Sequence, residues 1–254
     1  MDHSKVLKQI KSEYEDYIRN DAESRWLYGL LKSGRVDQKY GLQFASQSGG
    51  ALADSFIAAV TPELGAGEVL ALEDALAIIP EVLRTNSEYV SSYLYQLQTR
   101  LDEQAGIGLK PVKAKFDADR ARGLAEAATR DPLEQIADSF REQVKNFSMH
   151  EVDESMRLTA ESRVNAGLNV LVSRKYDDVG VHNRKDPCQW CLDRECSEVS
   201  YQEAYEMGVF ERHPGCECLI TYTNSMGDTT YQATAGTWYK SSNEALERRK
   251  NYGL

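Results

Sequence analysis

Two short stretches in the last third of the chain, CQWC at residues 188–191 and HPGCEC at residues 213–218, decide how this region folds. Both are rich in the thiol and imidazole groups that bind soft metal ions. Together they supply five candidate ligands: Cys188, Cys191, His213, Cys216 and Cys218.

The spacing within each stretch suits a shared metal ion. Two residues separate Cys188 from Cys191, which lets both sulfur atoms converge on one ion. The Pro-Gly turn after His213 brings this residue and Cys216 toward a common centre. On a strand, Cys216 and Cys218 would point to the same side, so either could be the fourth ligand.

Thiolates with one imidazole, four in number, favour zinc over magnesium or calcium. A closed set of four protein ligands indicates a structural ion, because catalytic zinc keeps an open position. We therefore predict one structural zinc ion. The five candidates exceed four, so one of them is a spare thiol, and Cys196 fits neither stretch and is predicted to be a bystander.

The distribution of cysteine supports metal over disulfides. All five cysteines lie between Cys188 and Cys218, whereas a disulfide framework usually spreads its cysteines through a small secreted domain. The main alternatives are a disulfide pair and a redox Cys-x-x-Cys. A redox motif usually lies in a thioredoxin-like βαβ unit, and the sequence pattern does not predict one here.

Composition narrows the function classes. The chain has 254 residues, a hydrophobic fraction of 41% and a formal net charge of −10. This acidity argues against general binding to the phosphate backbone of nucleic acids. No apolar stretch approaches the roughly 20 residues that span a bilayer, and the polar N-terminus lacks a signal-peptide core. A cytosolic protein, or one assembled in the cytosol, is expected.

Helical periodicity dominates the first two thirds of the chain. We predict a mainly α protein with an elongated helical body, a small C-terminal zinc-stapled α+β module and a tail. The predicted parts are an N-terminal helical region at residues 1–84, a central helical body at 85–174, a zinc-binding module at 175–224 and a tail at 225–254.

Local signals predict where the early helices begin and end. Asp21 is a candidate N-cap for a second helix. Gly49 and Gly50 are expected to break or bend the third helix, and Pro80 to kink or restart the fourth.

Later signals concern the helix that leads into the cysteine-rich region. Ser148 and Glu151 fit a capping box for a helix that reaches about Arg174. Beyond it, residues 179–181, 219–222 and 229–231 are predicted to form short strands, and residues 243–252 a short exposed helix.

The residues around the cysteines resemble a known family. The stretches DPCQWC at residues 186–191 and FERHPGCECLITY at residues 210–222 resemble the C-terminal signature of tailed-phage minor head proteins, the phage head morphogenesis family of the Mu F type. That signature is Cys-x-x-Cys with Trp before the second Cys, then Arg-His-x-x-Cys-x-Cys and a short β segment. The resemblance extends over residues 85–254. It departs at Cys196, where family members often have glycine, and residues 1–84 carry no matching motif.

The resemblance implies a non-enzymatic structural protein of the virion. Such proteins associate with the portal protein or the major capsid protein at the inner face of the head, and assist assembly and genome packaging or ejection. The expected location is the virion, with the host cytoplasm during assembly. The acidic charge would let the chain lie near packaged DNA without specific binding. No membrane and no small-molecule substrate are expected.

Two further classes are weighed against this one. A zinc-dependent nuclease or a deaminase-like toxin module would need an open metal position and a nearby base. A deaminase would show His-x-Glu upstream of Pro-Cys-x-x-Cys, and neither His150 nor His182 provides it at the right spacing. A zinc finger that binds nucleic acid is disfavoured by the acidic charge. We therefore predict no catalytic residues.

Overall fold

The computed structural model describes residues 1–65, 67–176, 188–213, 215–216, 218–226, 229–232 and 240–242. Over these residues the protein is mainly helical, with a small antiparallel sheet and a cluster of cysteine and histidine side chains near the C-terminus. The predicted fold class is confirmed to that extent.

Six helices of ten or more residues precede the sheet: α1 (His3–Asn20), α2 (Ala22–Lys32), α3 (Lys39–Val60), α4 (Leu72–Ala105), α5 (Ala118–Ala127) and α6 (Leu133–Asn165). A 3₁₀ turn, Thr61–Glu63, follows α3. These helices share one large core, to which α1, α3, α4 and α6 all contribute buried side chains. Among the described residues, no helix is long and apolar enough to cross a membrane.

Local sequence signals correctly predicted the first two helices. The buried face of α1 carries Ile10, Tyr14 and Ile18 at helical spacing. The side chain of Asp21 accepts a hydrogen bond from the backbone N–H of Ser24, which confirms it as the N-cap of α2.

Gly49 and Gly50 do not break α3, so the predicted break was wrong. The helix runs unbroken from Lys39 to Val60. A Cβ atom at Gly49 would lie 2.7 Å from the Ser148 hydroxyl and 2.9 Å from the Lys145 Cα of α6. Glycine is therefore needed here so that α3 and α6 can pack with their backbones close together.

Pro80 does not restart α4, which continues from Leu72 to Ala105 with the proline inside it. Proline in a helix interior removes one backbone hydrogen bond and costs about 3 kcal/mol. Ile79 and Val82 on either side are buried in the shared core. Their burial offsets this cost and holds the helix together.

The predicted capping box was also wrong, because Ser148 and Glu151 lie in the middle of α6. Both side chains form hydrogen bonds with helix α4 instead. The Ser148 hydroxyl accepts a hydrogen bond from Asn86 of α4 at 2.5 Å, and Ser87 donates to the Glu151 carboxylate at 2.9 Å.

The helix predicted to reach Arg174 ends at Asn165, and Arg174 lies in a strand. The sheet has five strands in the spatial order β2-β1-β3-β4-β5: β1 (Asn169–Tyr176), β2 (Cys196–Ser200), β3 (Cys218–Met226), β4 (Thr229–Gln232) and β5 (Lys240–Ser242). Two short helices, α7 (Gln189–Leu192) and α8 (Tyr201–Glu206), flank β2.

Every strand pair is antiparallel. Strands β3 and β4 confirm the strands predicted at residues 219–222 and 229–231. The strand predicted at 179–181 and the helix predicted at 243–252 lie outside the described residues. The sheet begins before residue 175 and continues beyond 224, the limits predicted for the zinc-binding module.

The sheet has a small core of its own against the C-terminal part of α6. Nine buried side chains form it: Met156, Ala160, Val170, Val172, Ala204, Val209, Phe210, Ile220 and Tyr222. The cysteine-rich region therefore folds on α6 and on this core, beside a separate small group of buried cysteines.

Candidate metal centre

Cys188 and Cys191 are positioned by the single helical turn of α7. Cys188 is the N-cap residue, and its carbonyl accepts hydrogen bonds from the backbone N–H groups of Cys191 and Leu192 at 3.0 and 3.1 Å. The turn places the Cys191 thiol in the interior and leaves Cys188 exposed.

The second stretch forms a tight turn between His213 and Cys216. The backbone N–H of Cys216 donates to the His213 carbonyl at 3.0 Å, and Gly215 adopts a left-handed conformation with φ of 75°. Directly afterwards β3 begins at Cys218, opposite Tyr176 of β1. Cys216 and Cys218 are both buried.

All five predicted ligand residues come together, and we call them the Cys/His cluster. Their donor atoms form two overlapping groups that share the Cys191 thiol, and within each group all atoms lie within 4.8 Å of one another. One group adds Cys188 and His213, and the other adds Cys216 and Cys218. All five cysteines of the chain are free thiols.

The distances approach those of a tetrahedral zinc site. Ordinary Zn–S and Zn–N bonds place neighbouring sulfur atoms about 3.8 Å apart and nitrogen–sulfur neighbours about 3.6 Å apart. The Cys191 and Cys216 sulfur atoms are 3.7 Å apart. The His213 Nε2 lies 3.0 Å from the Cys191 sulfur and 3.2 Å from that of Cys188. The two groups of donor atoms could therefore hold a metal ion.

Cys196 belongs to neither group. It begins β2, and its thiol lies 3.9 Å from the carbonyl oxygen of Val172 on the neighbouring strand. Its contacts are with the small core of the sheet.

Comparison with protein-family models, curated proteins and solved structures found no match to this chain.

Trp190, the aromatic residue inside the CQWC stretch, packs beside the imidazole of His213. Its ring meets the His213 ring edge to face, with centroids 4.9 Å apart and planes at 86°. The Arg194 guanidinium lies 3.9 Å from the centre of the indole ring. The tryptophan thus restricts the orientation of His213.

A buried ion pair ties the second stretch to helix α6. Arg212 donates through Nε to Asp153 Oδ2 at 2.6 Å and through Nη2 to Asp153 Oδ1 at 3.0 Å. The same guanidinium donates to the carbonyl oxygens of Cys216 and Cys218 at 2.8 and 3.0 Å. Burial alone would lower the pKa of Arg212, but the Asp153 carboxylate raises it above its ordinary value.

Arg174 is a second buried arginine at the Cys/His cluster. Its Nη2 donates to the Cys216 sulfur at 3.2 Å, and its Nη1 donates to the carbonyl oxygens of Val209 and Glu211 at 2.5 and 2.6 Å. Val172 and Arg174 lie two residues apart on β1, so both side chains point to the buried face of this strand.

Asn146 adds a third link from α6. Its side-chain amide donates to the His213 carbonyl at 2.7 Å, and its side-chain oxygen accepts a hydrogen bond from Arg120 of α5. Asn146 and Asp153 lie seven residues apart, two helical turns, and so share one face of α6. That face binds the His213 carbonyl and the Arg212 side chain.

The thiols of the cluster differ in acidity. A hydrogen bond with Cys218, with the charges of Arg212 and Arg174, lowers the pKa of Cys216 in spite of burial. The same hydrogen bond raises the pKa of Cys218, as does its burial. Burial, with the neighbouring Cys216, raises the pKa of Cys191 to about 11.

Sequence patterns found the five candidate ligands and missed the groups that surround them. Arg212 was part of the quoted signature, yet its role depends on Asp153, which lies 59 positions away along the chain. Arg174 had been assigned to a helix. The one sequence signal for these contacts was the basic residue Arg212 directly before His213.

The redox alternative finds only partial geometric support. The Cys-x-x-Cys does begin a helix, as such motifs often do. However, the sheet pairs among the described residues are antiparallel, so these residues form no thioredoxin-like βαβ unit. His182, the histidine that precedes the motif, lies outside the described residues.

Proposed function

We propose that the Cys/His cluster holds one structural zinc ion, with Cys188, Cys191, His213 and Cys216 as ligands. The observation that carries this proposal is the 3.7 Å separation of the Cys191 and Cys216 sulfur atoms, together with the position of the His213 Nε2 close to the thiols of Cys188 and Cys191. Cys218 lies beside this set as the spare thiol.

The surroundings support a structural role. Two of the four ligands, Cys191 and Cys216, are buried. Arg212 and Asn146 hold backbone carbonyls of the second stretch, and Arg174 donates to the Cys216 sulfur. Four protein ligands complete a tetrahedral zinc site and leave no position for a reacting water. The ion then stabilises the junction between the sheet and helix α6.

At the level of the whole protein, we propose a minor head protein of a tailed bacteriophage. Its support is the sequence signature at residues 186–191 and 210–222. The Arg, His and Cys positions of its second half all take part in one connected group with α6. In this role the protein binds the portal protein or the major capsid protein inside the head and performs no chemistry.

Metal analysis of two matched variants tests the zinc site. Cys191→Ser removes the thiol shared by both donor groups, and Cys196→Ser removes a thiol outside them. We expect about one zinc per chain in the wild-type protein and in Cys196→Ser, and loss of zinc in Cys191→Ser. A wild-type protein purified with zinc in the medium but free of metal would refute the structural-ion proposal.

Assembly is tested separately. Co-purification with portal protein and with major capsid protein, and mass spectrometry of proheads and virions, should detect this chain in particles. Its absence from both kinds of particle would refute the head-protein role. Turnover of a nucleic-acid or nucleoside substrate that disappears with Cys191→Ser would favour the enzyme alternative instead.

A further inference from the structure

Two buried cationic side chains contact the Cys/His cluster directly. Arg174 donates to the Cys216 sulfur at 3.2 Å, and Arg212 donates to the carbonyl oxygens on both sides of residue 217. Arg174 is 0% exposed, and the side chain of Arg212 is 1% exposed. Burying a guanidinium is costly unless an anion compensates its charge.

The one carboxylate paired with these arginines is insufficient to compensate both. Asp153 forms a two-point ion pair with Arg212. No described carboxylate forms an ion pair with Arg174, whose guanidinium contacts carbonyl oxygens, the thiols of Cys216 and Cys218, and the face of Trp190. The pair of arginines with Asp153 therefore carries one net positive charge.

A zinc ion with three thiolates and one neutral imidazole supplies the missing charge. Such a complex carries one net negative charge, because the ligand form of cysteine is the thiolate. The buried group of ion, ligands, two arginines and Asp153 is then neutral. A fourth thiolate, or a monovalent ion in place of zinc, would leave it negatively charged.

We propose that Arg174 and Arg212 are positioning residues that select a divalent ion bound by three thiolates and His213 over a four-thiolate site. This inference rests on the proposed zinc site and deepens it. Arg174 acts through its N–H···S hydrogen bond to Cys216, and Arg212 acts by holding the backbone around residues 216–218.

Zinc affinity of the full-length protein, measured by competition with a chelating dye, tests the role of Arg174. We expect Arg174→Met to weaken zinc binding by about 10–100-fold, the usual effect of losing a group that supports a metal ligand. Arg174→Lys keeps the charge and should recover part of the loss.

Arg163→Met is the matched control for this measurement. Arg163 is also 0% exposed and is paired with Asp102 of α4 at 2.5 Å. None of the hydrogen bonds described for Arg163 reaches a cysteine. Its replacement should lower the melting temperature and leave the zinc affinity unchanged. Helical circular dichroism identifies the folded variants to compare.

Cobalt(II) replaces zinc as the probe of ligand number, because the sulfur-to-cobalt absorption grows with the number of bound thiolates. Cys218→Ala should keep the wild-type intensity, and Cys216→Ala should lose about one third of it, one thiolate out of three.

The outcomes separate the two proposals. A wild-type protein that binds neither zinc nor cobalt refutes the zinc site, and the charge-balance inference with it. A wild-type protein that binds zinc while Arg174→Met binds it equally well refutes the inference alone. Equal loss of cobalt absorption in Cys218→Ala and Cys216→Ala also refutes the inference alone.

Discussion

Asp153 and Arg212 form a two-point ion pair in which both side chains are only 1% exposed. The pair joins the middle of helix α6 to the stretch that carries His213 and Cys216. Burial raises the pKa of the Asp153 carboxyl, while the charges of Arg212 and Arg174 oppose this shift. This stretch is therefore anchored to the helical part of the protein through a buried ion pair.

Breaking this pair from one side should be more damaging than removing it altogether. Asp153→Leu leaves the Arg212 guanidinium buried without its carboxylate and is expected to cost about 3–5 kcal/mol of unfolding free energy. The double variant Asp153→Leu/Arg212→Met removes both charges and should be more stable than Asp153→Leu alone. Urea denaturation of the wild-type protein, Asp153→Leu, Arg212→Met and the double variant measures the coupling. Additive single effects would show that the two side chains act independently.

We expect metal removal to destabilise part of helix α6. Asn146 contacts the His213 carbonyl and Asp153 pairs with the adjacent Arg212, so chelation of zinc is expected to increase amide hydrogen exchange at residues 146–156. Helix α2 lies outside these contacts and serves as the internal reference. Mass spectrometry of exchanged peptides, with and without chelator, makes the comparison. Unchanged exchange in α6 after complete zinc loss would mean that the cluster folds independently of the helix.

Gly49 is predicted to tolerate no side chain. The Cβ of Gly49→Ala would lie 2.7 Å from the Ser148 hydroxyl and 2.9 Å from the Lys145 Cα, so α3 and α6 must move apart. The expected cost is about 1–3 kcal/mol. Gly29→Ala in α2 is the control, because nothing lies within 4 Å of its Cβ, and alanine there should stabilise by up to about 1 kcal/mol. Similar thermal stability of both variants would contradict the close packing of α3 on α6.

We expect the contribution of Glu151 to the unfolding free energy to fall as the pH rises. Burial raises its pKa from 4.5 to about 8, with the Ser87 hydrogen bond acting in the opposite direction. The folded state thus keeps a proton that the unfolded state releases between about pH 4.5 and about pH 8. Over this interval the stability from Glu151 is lost at about 1.4 kcal/mol per pH unit, and it is fully present only below the unfolded pKa.

Glu151→Gln keeps the hydrogen-bonding shape and removes the titration, so its unfolding free energy should depend less steeply on pH than that of the wild-type protein. Glu88→Gln, an exposed change on α4, is the control and should retain the wild-type slope. Chemical denaturation at pH 6 and pH 8 is sufficient, and equal slopes for Glu151→Gln and the wild-type protein would rule out this role for Glu151.

Local patterns predicted those elements whose signals act within a few residues. The Asp21 N-cap and the apolar face of α1 are of this kind, and both are present. The predictions at Gly49, Ser148 and Arg174 failed for a common reason. At each of these positions the residue type is explained by contacts with a neighbouring element of the fold. Rules that consider only nearby residues in the sequence do not take such contacts into account.

The sequence by itself determined the class of the fold and the identity of the five cluster residues, because helical periodicity and the spacing of cysteine and histidine are short-range properties. The tertiary structure decided how those residues are held. It brought Asp153 to Arg212 and Arg174 to Cys216, contacts between positions 59 and 42 residues apart. Buried charges must find partners wherever the fold places them, and no local pattern specifies which partners those are.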